Sequence, residues 1–130
     1  MASPSNLTLQ QVTDAITALE NQLLIDLQNA TKTHSSQIPD VQNDYSGLMT
    51  LLENARGAVS GSADPGDDWV LWLNGAIGAA LKSYAKLINS ILGNAADPLG
   101  MCTYLGGGPV CMTQAQCSTL PDSSWTEGCS

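Results

Sequence analysis

The sequence predicts a mainly α fold: a three-helix bundle, made of an antiparallel hairpin plus a third helix, with a small disulfide-rich C-terminal tail. Three observations predict it. Apolar residues recur at steps of three and four through three stretches of similar length, a cap or a proline opens each stretch, and all four cysteines fall in the last 29 residues. Residues 1–96 read as the bundle and 97–130 as the tail.

The first helix opens at Thr8-Leu9-Gln10-Gln11, where the Thr8 hydroxyl can accept from the third helical amide while Gln11 reaches back, with Leu7 and Val12 as a hydrophobic staple. Leu9, Val12, Ile16, Leu19, Leu23 and Leu27 then share one helical face to about Thr33, and Leu24 and Ile25 widen it. The second helix starts at Pro39, a favoured first helical position. Ile38, Val41, Tyr45, Leu48, Leu52, Ala55 and Val59 form its seam, and two seams joined by a short loop imply an antiparallel hairpin. Gly47 and Gly57 each cost about 1 kcal/mol in helix propensity, so they weaken the helix locally or permit close backbone approach. Gly61 ends it.

The third helix follows Pro65-Gly66, capped by Asp67 or Asp68 with an acidic first turn suited to the helix dipole. Val70, Leu73, Ile77, Leu81, Tyr84, Ile88 and Ile91 make its stripe, and Gly93-Asn94 is its stop. The three helices hold about 25, 22 and 25 residues, and matched lengths favour a bundle. One segment breaks the amphipathic rule. Trp69-Val70-Leu71-Trp72-Leu73 wraps the whole circumference, so either the tail folds over Trp69 and Trp72 or they receive a partner. With the small-residue run Gly75-Ala76-Ile77-Gly78 beside them, Trp69, Trp72, Leu73, Gly75 and Gly78 are the candidate partner-binding residues.

The totals narrow the function class. A chain of 130 residues fits one domain, and charged residues make up 12% against roughly 25% in soluble domains, so the surface is rich in Ser, Thr, Asn, Gln and Gly. Lys32, Arg56, Lys82 and Lys86 face twelve acids for a net charge of -8, which disfavours nucleic acid and anionic membranes as partners. Met1 to Asn6 shows neither a positive region nor an apolar one, so no uncleaved secretion signal is expected. The longest apolar or small stretch, Trp69 to Leu81, is too short to span a bilayer.

In the tail, Cys102, Cys111, Cys117 and Cys129 lack the close pairing of zinc knuckles, and the sole histidine, His34, lies in the first loop. An even cysteine count in a Gly/Pro-rich segment with little apolar content is better explained by two disulfides that replace a missing core. Three pairings are open; Cys102 with Cys117 and Cys111 with Cys129 would interlock the tail best. Thr113-Gln114-Ala115-Gln116 repeats the capping-box logic and predicts one or two helical turns carrying Cys117 and Leu120, with Trp125 as hydrophobic anchor. The run Cys111-Met112-Thr113-Gln114-Ala115-Gln116-Cys117, followed by Trp125 and Cys129, resembles a short cysteine-rich motif of extracytoplasmic bacterial proteins and some phage proteins. Pro121 to Ser124 stand where that motif usually has Gly-Gly. The resemblance covers about 28 residues and implies an outside location, with no activity attached.

Enzymatic readings find little to build on. His34 has no serine or cysteine tied to it by motif, and a lone loop histidine is usually only solvated. Asp64, Asp67 and Asp68 lack the spacing of a calcium loop and are accounted for by helix capping; Asp40 and Asp44 read as a solvated acidic turn. The Asn6 and Asn29 glycosylation triplets arise by chance in a chain this rich in Asn, Ser and Thr. No catalytic residue, cofactor or metal ligand is expected. Disulfides call for an oxidising place, so the expectation is an extracellular or virion protein. The leading expectation is a non-enzymatic structural or assembly protein, such as a phage virion component, whose helices self-associate or dock while the tail hardens an exposed face. The alternative is a secreted binding protein whose helices enclose an apolar ligand lined by Trp69, Trp72, Leu24 and Leu27.

Overall fold

The computed structural model describes residues 7–93, 98–104 and 107–129. The expected boundary at 96/97, the Asn94 stop, Gly106 and the segment 1–6 lie outside them. Four long or medium helices come first: α1 (Leu9–Thr31), α2 (Ile38–Ser60), α3 (Pro65–Asn74) and α4 (Ala76–Leu92). A cap follows, made of β1 (Leu99–Tyr104), β2 (Gly107–Thr113), the single turn α5 (Gln114–Cys117) and β3 (Ser124–Glu127).

Local signals place the first two helices. The Gln11 amide donates to Thr8 Oγ1 at 3.1 Å and the Thr8 amide to Gln11 Oε1 at 2.9 Å, closing the capping box that starts α1. In α2, Val41, Leu48, Leu52, Ala55 and Val59 are buried in the register their spacing predicts. Helix α4 runs antiparallel to α2, since Ser90 Oγ meets Gln37 Oε1 at 3.1 Å near the start of α2 and Ser83 Oγ meets Asp44 Oδ2 at 3.2 Å further on.

The chain is mostly helical, as expected, but the third helix is not one helix. It breaks at Gly75, whose φ of -102° and ψ of -111° are far from helical, and the described residues therefore form four principal helices where three were expected. The physical reason is the ring of apolar residues in α3. A straight continuation could bury only the stripe through Val70, Leu73 and Ile77, whereas the bend buries Trp69 fully along with Val70 and Leu73, leaving only Leu71 outside, 71% exposed. The cap of α3 also differs. Asp64, not Asp67 or Asp68, accepts the Asp67 amide at 3.3 Å, because Pro65 at the first helical position has no amide to satisfy.

The tail is more ordered than a bridged coil. Its three strands form an antiparallel sheet in the order β2-β1-β3, with Cys102 opposite Val110 on one side and opposite Trp125 on the other. Thr113 and Gln116 close the second capping box, both bonds at 3.2 Å, and start α5. Trp125 anchors β3 by donating its indole N–H to the Met112 carbonyl at 3.0 Å. Its ring lies over Gly100, where a Cβ would collide with it and with the Thr126 carbonyl. Bundle and cap share one apolar core: Tyr104, Val110, Met112 and Leu120 belong to the same buried cluster as Leu23, Trp69 and Leu81.

Candidate interaction surface

The four cysteines come together inside the cap as two bridges, Cys102–Cys117 and Cys111–Cys129, with Cα separations of 5.7 and 6.1 Å. The first is buried at both ends; the second joins nearly buried Cys111 to a partly exposed Cys129. Along the chain the two closed loops interleave.

The five partner-binding candidates do not share one surface. Trp69 and Leu73 have no exposed area, and Trp72 is partly buried against the core. Gly75 sits exposed at the bend. Gly78 is buried, and a Cβ on it would strike the Leu73 carbonyl and come within 3.1 Å of Val110 Cγ1, so its bare backbone serves the join between α3, α4 and β2. That join is fastened by Tyr104, whose hydroxyl donates to Asn74 Oδ1 and whose phenol is held above its ordinary range by burial. The Trp69 indole N–H is buried with no hydrogen-bond partner among the described residues. Of the residues expected to line an apolar ligand, Trp69 is in the core, Leu27 and Trp72 are partly buried against it, and Leu24 is 40% exposed.

A run of small and polar residues that reach solvent lies on α2. Asn43, Gly47, Thr50, Asn54, Gly57 and Ala58 fall within about a third of the helix circumference at 100° per residue, and all six are exposed. None of the six carries a charge, but exposed Asp40, in the first turn of α2, lies at the same angle as Ala58. Nothing in the chain comes within 4 Å of a Cβ built on Gly47 or Gly57, so no internal contact requires either glycine. Beside this face runs a groove of about 420 Å³ toward α4, lined in part by Gly47, Leu51, Ala80 and Ser83.

The other flank of α2 is charged and closed. Arg56 pairs with Glu20 of α1 and with Glu53 at 3.3 Å, and donates to Thr17 Oγ1 at 3.3 Å. Burial at this seam, and then the hydrogen bond with Glu53, push the Glu20 carboxyl up to about 7, while Glu53 is held below its ordinary value by that same bond and by Arg56.

His34 is exposed in the loop after α1. Among the described residues no three His, Cys, Asp or Glu side chains converge as metal ligands, and no helix is long and apolar enough to cross a membrane. The sequence did signal the α2 face through Gly47 and Gly57. It did not single out that face, because the Gly75 to Gly78 run looked equally suited to close approach and only the folded chain shows which glycines are used internally. Comparison with protein-family models, with curated proteins and with solved structures gives no match for this chain.

Proposed function

We propose that this is a non-enzymatic structural protein that self-associates through the outer face of α2, with the disulfide-bonded cap as a hardened end, in an extracellular or virion setting. One observation carries the reading: α2 spends two glycines, at about 1 kcal/mol each in helix propensity, on an exposed face where the chain's own packing needs neither. Close approach of another backbone would account for them. The low charge of this stretch is compatible with a second copy as the partner. Two chains of net charge -8 repel, and the stretch of this face from Asn43 to Ala58, which carries no charge, is where they can meet at least electrostatic cost. The paired cysteines support an oxidising location, and the cap's resemblance to an extracytoplasmic motif agrees with it.

Analytical ultracentrifugation of the wild type and of Gly47→Leu and Gly57→Leu tests the reading. The wild type is expected to form a defined multimer, and each leucine variant to be monomeric with an unchanged or raised melting temperature. A wild type that stays monomeric at high micromolar concentration, or variants that assemble as well as it does, would overturn the proposal.

A further inference from the structure

Asn74 ends α3 and Gly75 makes the bend that follows, and of the chain's asparagines only this one precedes a glycine. Such a pair is prone to cyclise, because no side chain shields the glycine amide nitrogen from the asparagine carboxamide. Both residues are exposed, so water and base reach them. The reaction needs the Gly75 amide to lose its proton and Asn74 Cγ to swing onto that nitrogen.

The fold withholds both. The Gly75 N–H donates to the Leu71 carbonyl at 3.1 Å and to the Trp72 carbonyl at 3.2 Å, which fixes it against the last turn of α3. The Asn74 carboxamide is held from the cap, where Tyr104 of β1 donates its hydroxyl to Oδ1. Burial keeps the Tyr104 phenol above its ordinary range, so it remains a donor in the mildly alkaline solution that speeds amide cyclisation. Asn74 has a further interaction besides this bond, so Tyr104 is one of the groups that hold it. On the far side of the bend, bare Gly78 lets β2 approach, with Val110 Cγ1 3.1 Å from where a Cβ would stand. Tyr104 lies two positions after bridged Cys102 and Val110 one before bridged Cys111, so the hold on Asn74 is tied to the docking of the disulfide cap.

We infer that Asn74-Gly75 is a latent deamidation site, closed while the cap is docked on the bundle and open once that join loosens. The Gly75 nitrogen then attacks Asn74 Cγ: the N–Cγ bond forms, the Cγ–Nδ2 bond breaks, and Nδ2 leaves as ammonia, taking up the proton that the amide gave up. Water opens the resulting succinimide at one of its two carbonyls. Opening at Cγ gives aspartate, which still offers Tyr104 an acceptor. Opening at the main-chain carbonyl gives isoaspartate, which lengthens the backbone by one carbon at the bend that lets α3 bury Trp69 and Leu73. A transient opening of the join thus leaves a permanent change in the turn from α3 into α4. None of this involves the α2 face, so its failure would leave the assembly reading untouched.

The test is a timed incubation in mildly alkaline buffer, followed by peptide mass mapping that separates asparagine, aspartate and isoaspartate at this position. The folded wild type is expected to convert roughly ten times more slowly, or slower still, than the same chain reduced and unfolded in guanidinium, since slow chemistry at a fast-opening site scales with the open fraction. Tyr104→Phe, shown to be folded by circular dichroism, is expected to convert several-fold faster than the wild type. So is Gly78→Ala, which drives a Cβ into the Leu73 carbonyl and loosens the same join without altering Asn74. The wild type in guanidinium below its unfolding transition remains informative if neither variant folds, and its conversion is expected to rise before global unfolding begins. Conversion of the folded wild type at the unfolded rate, no conversion in the unfolded chain, folded variants no faster than the wild type, or a rise only with global unfolding would each overturn the assignment.

Discussion

Gln116 and Asp26, 90 positions apart in the chain, are joined by a 3.0 Å hydrogen bond that ties the disulfide cap to the first helix. Gln116 has no exposed area, and the same side chain closes the capping box of α5. Its removal therefore takes a donor from the Asp26 carboxylate and a cap from α5 together. Gln116→Ala is expected to lower stability by about 1.5 to 3 kcal/mol, read from the shift in urea midpoint. Gln116→Glu should cost more at neutral pH, because it sets a second carboxylate against Asp26, and should recover in part as both protonate in acid.

The same substitution should have opposite signs at two glycines. Gly47→Ala adds a methyl where nothing lies within 4 Å and is expected to stabilise the monomer by up to about 1 kcal/mol. Gly100→Ala drives a Cβ into the Trp125 ring and the Thr126 carbonyl, and is expected to destabilise by about 1 to 3 kcal/mol. Thermal unfolding of the two variants side by side checks the pair.

Stability should depend on pH through Glu20. Its carboxyl is pushed from 4.5 to about 7 in the folded chain, so between those values the native state holds a proton that the unfolded state has released. The contribution is greatest below pH 4.5, declines as pH rises through this window, and levels off above about 7. Solvent screening at this partly exposed seam keeps it on the order of 1 kcal/mol or less. Subtracting the pH profile of Glu20→Gln from that of the wild type should isolate the slope. A difference that is flat, or that rises with pH, would contradict it.

The bridges should reduce in sequence. Cys129 is the most exposed of the four sulfurs' residues, whereas Cys102 and Cys117 are buried, so a mild reductant should open Cys111–Cys129 first. Alkylation followed by peptide mass mapping reads the order directly. Replacing either pair with serines is expected to cost about 3 kcal/mol, given loops of 15 and 18 residues.

What the sequence made legible was local. The capping boxes at Thr8 and Thr113 and the seam of α2 need only a few neighbouring residues, and each is found where its spacing places it. The break at Gly75 was invisible because the stripe through Val70, Leu73, Ile77 and Leu81 runs across it without a fault. It is fixed by distant groups: Tyr104 bonded to Asn74, and Val110 set against Gly78. The strands were hidden for a similar reason, since Leu99–Tyr104 is short, contains Gly100, and gains its partners only when residues 107–113 and 124–127 return to it. Asp26 and Gln116 each look like ordinary polar helix residues until the fold sets them side by side.

The interleaved bridges also decide how the cap would carry load. Tension applied beyond Cys129 crosses directly to Cys111 in β2, so α5 and β3 are bypassed and cannot be peeled away from the end. From Cys111 the force divides, one share passing back along the backbone to Cys102 and the other forward to Cys117 and across the Cys102–Cys117 bridge to the same residue. Such a cap behaves like a rivet: it can be torn off the helices, but it cannot be unravelled from the Cys129 side.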